Sequence, residues 1–150
     1  MMLKEKLTAD LKEAMKRHDQ NVVSVLRMML SALKNKEIEK RVEALLEDEM
    51  LQVLTTEARK RKESITSYQQ GGRSDLAEIE KRELGIIKAY LPEEASEDEI
   101  RQAVKEVIAG MGASADAKAM GKVMGAVMGR FKGRADGTAV QNIVKKELGV

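Results

Sequence analysis

Met120-Gly121-Lys122-Val123-Met124-Gly125-Ala126-Val127-Met128-Gly129-Arg130-Phe131-Lys132-Gly133-Arg134-Ala135-Asp136-Gly137 is the stretch of this 150-residue chain whose residue choice departs from ordinary helical filler. Glycine recurs at Gly121, Gly125 and Gly129, and methionine at Met120, Met124 and Met128, so a helix here carries an apolar stripe beside a bare one. Each interior glycine costs a helix roughly 0.8–1.0 kcal/mol relative to alanine. Bearing that cost in three successive turns implies that the backbone is approached closely, in the first place by a packed neighbouring helix and otherwise by a nucleic-acid backbone. Gly133 is placed to end the helix in a left-handed conformation, and Asp136 to cap the next one by accepting a backbone N–H.

Working outward, composition points to helices throughout. Hydrophobic residues make up 43% of the chain but aromatic ones only 2%, so the core is built from Leu, Ile, Val, Met and Ala, and the aromatic side chains that strands favour are missing. With 35% charged residues and a mean hydropathy of −0.39, no stretch approaches the roughly 18 apolar residues of a membrane span. The chain opens Met1-Met2-Leu3-Lys4-Glu5 with no apolar signal core, and the expectation is a cytoplasmic protein with no membrane partner. The absence of cysteine removes disulfides, thiol catalysis and thiolate metal sites together.

Leu3, Leu7, Leu11 and Met15 predict one face of a first helix over about 3–17, and Val22, Val25, Leu26, Met29 and Leu33 a second running on to Arg41. A third is expected from Glu47 to Gln70, with apolar marks at its two ends and a polar middle. Gly71-Gly72 ends it, and Ser74-Asp75 starts a fourth with Leu76, Ile79, Leu84, Ile87 and Leu91 near one face. Pro92, the only proline, disfavours helix at Leu91 and marks a boundary. Ser96-Glu97-Asp98-Glu99 is a capping box opening a fifth helix, which Gly110 and Gly112 close, and Ser114 to Lys118 leads into the glycine-rich helix. The expected fold is therefore all-α: an antiparallel arm of about four helices over 1–92, then a three-helix domain over 93–150.

Candidate chemistry is sparse. His18 falls where the first helix ends, no serine sits in a nucleophile elbow, and neither phosphate-loop nor dinucleotide glycine spacing is present. Glu97, Asp98 and Glu99 have a capping role that accounts for them without a metal, so no metal, cofactor or catalytic residue is assigned. The final helix begins Gly137-Thr138-Ala139-Val140, which puts no base-reading side chain where a DNA-reading helix needs one. Charge distribution is more telling. Residues 91–116 carry seven acids against two bases and residues 117–150 the reverse, which either attracts an anionic partner such as RNA or lets adjacent helices complement each other. The basic part supplies the candidate nucleic-acid contacts Lys118, Lys122, Arg130, Lys132, Arg134, Lys145 and Lys146. Arg130, Lys132 and Arg134 crowd one turn, where a loop can present them together to phosphates. Arg59, Lys60, Arg61 and Lys62 form an auxiliary candidate, set against the reading that flanking acids such as Glu57 pair with them along a solvated helix.

Gly112-Ala113-Ser114, Met120-Gly121-Lys122-Val123-Met124-Gly125 and Lys132-Gly133-Arg134-Ala135-Asp136-Gly137, in this order, resemble the C-terminal motif of the YqeY family of small bacterial proteins. Val25-Leu26-Arg27-Met28 and Tyr90-Leu91-Pro92-Glu93 resemble its N-terminal marks, so the likeness covers essentially the whole chain. The family is in turn similar, over its C-terminal unit, to the tail domain of the B subunit of glutamine-dependent aspartyl/glutamyl-tRNA amidotransferase. That resemblance implies an all-helical fold in two parts, a domain engaging tRNA by shape and backbone, and an association with carbon–nitrogen ligase activity using glutamine as amide donor. Its motif positions here are Gly121, Gly125, Gly133, Ala135, Asp136 and Gly137 with the cations Lys122, Lys132 and Arg134. The amidotransferase subunit does its ATP-dependent chemistry in a large separate domain, which this chain has no room for. The expectation is thus a non-catalytic accessory with tRNA or another structured RNA as partner, beside the amidotransferase or another translation-related protein. A protein-interaction module docking by its helical faces is the alternative, and amidation by the isolated chain a third reading.

Overall fold

The structure, a computed structural model, describes residues 2–111 and 117–149. Among the described residues the chain is all-α, as expected: α1 (Met2–Lys16), α2 (Gln20–Lys40), α3 (Glu47–Gln70), α4 (Ser74–Lys88), α5 (Glu97–Met111), α6 (Met120–Arg130) and α7 (Gly137–Leu148), with one 3-10 turn at Ala117–Ala119. Gly112 and the lead-in from Ser114 to Asp116 lie outside the described residues. The chain divides into two compact units, Met1–Pro92 and Glu93–Val150.

In the first unit α2 is the central helix, packing against α1, α3 and α4. Leu7, Leu26, Met29, Leu33, Met50, Leu54 and Ile87 are its largest fully buried side chains. The burial of α1 differs from the four-residue spacing read in the sequence: Ala14 is buried while Met15 is 47% exposed. A strict step of four overshoots the helical turn by about 40° each time, so the third step carries the side chain off the core face. Likewise Ala77 is buried on α4 while Ile79 is 48% exposed. α4 stops at Lys88, and two turn bonds, Tyr90 N–H to Ile87 O and Leu91 N–H to Lys88 O, carry the chain to Pro92. Two part-buried polar ties fix the helices: Lys4 Nζ reaches the buried Glu37 at 2.8 Å, and Tyr90 Oη donates to Asp10 at 2.5 Å. Burial, reinforced by Asp10, pushes the Tyr90 phenol well above its ordinary pKa.

In the second unit α5, α6 and α7 pack on one another around Val104, Val123, Val127, Val140 and Val144, all fully buried, with Phe131 and Ala135 closing the turn between α6 and α7. Ser96 Oγ accepts from the Glu99 N–H at 3.1 Å, giving α5 the N-cap its sequence requires.

Candidate nucleic-acid interface

α6 forms because Val123, Val127 and the half-buried Met120, Met124 and Met128 repeat at helical spacing against the α5–α7 core. Its opposite side is exposed and reads Gly121-Lys122, Gly125-Ala126, Gly129-Arg130. An added Cβ at Gly121, Gly125 or Gly129 would meet nothing within 4 Å. The expectation that these glycines admit a packed helix of this chain is therefore corrected. They line an outward surface about three turns long, almost without side chains and with a cation at each end. The apolar methionine stripe, not the glycine stripe, is what docks α6 to its neighbours.

The turn after α6 is shaped by Gly133, which is buried at φ +71° as the sequence required. Asp136 occupies the N-cap position of α7 with extended backbone, and its carbonyl accepts the first helical bond from Val140 N–H, but its side chain makes no capping hydrogen bond there, which corrects the expected cap.

The cations of the turn are drawn apart. Arg130 Nη1 pairs with Glu106 Oε2 at 2.7 Å, and this guanidinium, with help from Gln102, holds the Glu106 carboxyl below its ordinary pKa. Arg134 turns the other way: Nη2 donates to Glu99 Oε2 at 2.9 Å, Nε donates to Glu93 O at 2.9 Å, and its guanidinium sits over the Phe131 ring at 5.8 Å. Its own carbonyl accepts from Ala95 N–H at 2.7 Å. Glu99 and Glu106 are two turns apart on α5, so the two arginines are spread along that helix instead of meeting one phosphate group together. The acidic and basic helices thus neutralise each other in part, with Arg101 of α5 reaching Glu147 of α7 at 4.0 Å in the opposite sense. Lys118, Lys122 and Lys132 are exposed, as are Lys145 and Lys146 in the last turn of α7, where they also complement the helix C-terminus.

The auxiliary run sits in α3. Arg59 pairs with Glu63 at 3.2 Å and Lys60 with Glu57 at 3.5 Å. Arg61 faces α4, with Nε 3.1 Å from Glu83 and 3.5 Å from Glu80. Lys62 is half-buried. Burial and the neighbouring Glu83 raise the Glu80 pKa against the lowering effect of Arg61. The buried Ala58 directly before the run shows how a polar stretch still packs: one small side chain meets the core while the cations that follow radiate around the helix.

Among the described residues no group of three or more His, Cys, Asp or Glu is placed to hold a metal ion, and no helix is long and apolar enough to cross a membrane. His18 follows α1 at φ +58°, exposed, with its N–H on Met15 O.

Comparison with known proteins adds two findings. A protein-family model described as "Yqey-like protein" matches residues 4–148. The chain is similar to "Altered inheritance of mitochondria protein 41, mitochondrial" from three yeasts. Identity is 36% over 68% of this chain and 56% of the Saccharomyces cerevisiae (strain YJM789) protein, and 38% over 64% and 56% for Clavispora lusitaniae. For Vanderwaltozyma polyspora it is 38% over 57% of this chain and 46% of the relative. The chain spans about half the length of these curated relatives.

Proposed function

The chain belongs to the YqeY family, and from that premise we propose that it is a non-catalytic tRNA-binding protein that assists tRNA amidation. It contacts the sugar–phosphate backbone with the outer face of α6 and leaves the carbon–nitrogen ligase chemistry to the amidotransferase or another translation-related protein. The work belongs in a compartment where tRNA is used, the cytoplasm for this chain, while the yeast relatives carry mitochondrial names. It needs no cofactor.

One observation carries the proposal. Gly121, Gly125 and Gly129 open onto empty space, so their cost to the helix is not offset by any contact within the described chain. A partner that approaches the bare backbone accounts for them. The absence of any acid from residue 117 to residue 135, with Lys122 on that face and Arg130 at its end beside its partner Glu106, suits a polyanion. Gly125→Leu tests this. A Cβ at this exposed position meets nothing within 4 Å, so thermal stability is expected to be retained, while tRNA affinity measured by fluorescence anisotropy falls about tenfold or more. Unchanged affinity would remove α6 from the interface.

A protein-docking role is favoured by a separate feature, the exposed apolar residues Ile38 (64%), Val42 (42%) and Leu46 (72%) around the α2–α3 connection. Retention of one stoichiometric protein partner after nuclease treatment, lost in an I38D/L46D variant, would support it.

A further inference from the structure

Residues 20–36 contain neither Asp nor Glu, and in the whole chain only residues 117–135 run longer without one. The longer run holds the α6 face. The shorter one is most of α2, in the other unit. Its two bordering acids are both occupied: Asp19 caps the helix by accepting from Val22 N–H, and Glu37 is buried against Lys4. What α2 shows to solvent over this run is Gln20, Asn21, Ser24, Arg27, Ser31, Lys34 and Asn35, and the spacing of the last five puts them on one side of the helix. Arg27 and Lys34 are two turns apart, about 10.5 Å along the axis.

Several cations elsewhere pair with a carboxylate of their own helix. Lys16 pairs with Glu13, Arg59 with Glu63, Lys81 with Glu78 and Arg101 with Asp98, each on its own helix. Arg27 and Lys34 stand in no ion pair with a described residue, and neither do Lys12, Arg17 and Lys105; what sets the α2 strip apart is that no acid lies within the run around them. A guanidinium, an ammonium, hydroxyls and an amide along one line form the donor set that contacts phosphate and sugar oxygens. Within residues 20–36 the strip has no exposed large apolar side chain of the kind that dominates protein interfaces or inserts into a bilayer; the exposed Ile38 lies one turn beyond it on the same side of α2.

We infer that the α2 face bearing Ser24, Arg27, Ser31 and Lys34 is a second contact for an RNA backbone, so that each unit carries its own phosphate-binding surface. This rests on the reading that the chain binds RNA, but on different residues in a different unit. It reads no bases, and it adds affinity and salt dependence without sequence preference.

Because the chain has no cysteine, S31C and A126C variants each provide one thiol, both at exposed positions, for a benzophenone photocrosslinker. Full-length S31C irradiated with tRNA is expected to give RNA adducts that drop about tenfold in an R27E/K34E background, while A126C adducts persist there. RNA adducts from A126C alone overturn the α2 contact and leave the α6 reading standing. Adducts from S31C alone keep the α2 contact and overturn the α6 reading, and adducts from neither overturn both. Protein adducts in place of RNA adducts from S31C in cell extract assign the strip to a protein and overturn the inference as well.

Discussion

Arg134 Nη2 lies 2.9 Å from Glu99 Oε2 while its Nε holds the carbonyl of Glu93, so one guanidinium ties the turn after α6 both to the first turn of α5 and to the segment leading into it. This gives Arg134 a structural duty. Arg134→Ala is expected to destabilise the second unit by about 1–2 kcal/mol, since a charged bond to a backbone carbonyl is worth more than the half-exposed ion pair alone. Arg134→Lys recovers only part, because an ammonium cannot span both acceptors as the planar fork does. Urea unfolding of the three proteins reads the effect directly. Stability unchanged in Arg134→Ala would mean that the fork does not hold the turn.

The outward glycines of α6 make an opposite forecast. Replacing Gly121, Gly125 and Gly129 singly with alanine is expected to raise stability by about 0.5–1 kcal/mol each, because each methyl enters open space and each exchange lowers the entropy of the unfolded chain. If a helix of this chain packed on that stripe, the same substitutions would lower the melting temperature.

Glu37 and Lys4 provide a test of the first unit. Glu37 is 3% exposed and its partner is partly solvated, so Lys4→Met leaves a buried carboxylate uncompensated and is expected to cost about 2–3 kcal/mol. A K4M/E37L double variant should recover most of that. A double-mutant cycle with no coupling would show the pair to be incidental.

The pH dependence of the α3–α4 pair is carried by Glu80. Its folded pKa is raised, mainly by burial, so the folded state holds the proton more tightly than the unfolded one. Its contribution is therefore present below the ordinary carboxylate pKa and is lost as pH rises through the raised value. Glu80→Gln, which mimics the protonated form, should gain melting temperature over the wild type as pH rises from 4 to 7. A gain that shrinks over that range would contradict the assignment.

Much of the helical layout was legible in the sequence for reasons that remain visible in the structure. Gly72, at φ +73°, and Pro92 break the chain, and α3 runs from Glu47 to Gln70 because nothing between them interrupts it. The glycine stripe was harder to read. A missing Cβ has the same sequence signature whether a helix lies against it or nothing does, and only packing distinguishes the two. Arg130 and Arg134 were illegible for a different reason. Their partners Glu106 and Glu99 are 24 and 35 residues away, beyond the reach of any helical spacing rule, so a cluster of cations in sequence became two separated ion pairs in space. The α2 strip carries no motif at all, since its signal is an absence of acids over residues 20–36.

The salt dependence of tRNA affinity tests RNA binding by this chain most directly. For the wild type, log affinity against log salt is expected to fall linearly, and K122A/R130A should flatten that line by roughly 0.7–0.9 for each phosphate contact removed, at retained stability. No measurable tRNA binding at low salt, or identical slopes for the two proteins, would contradict an RNA-binding role for α6.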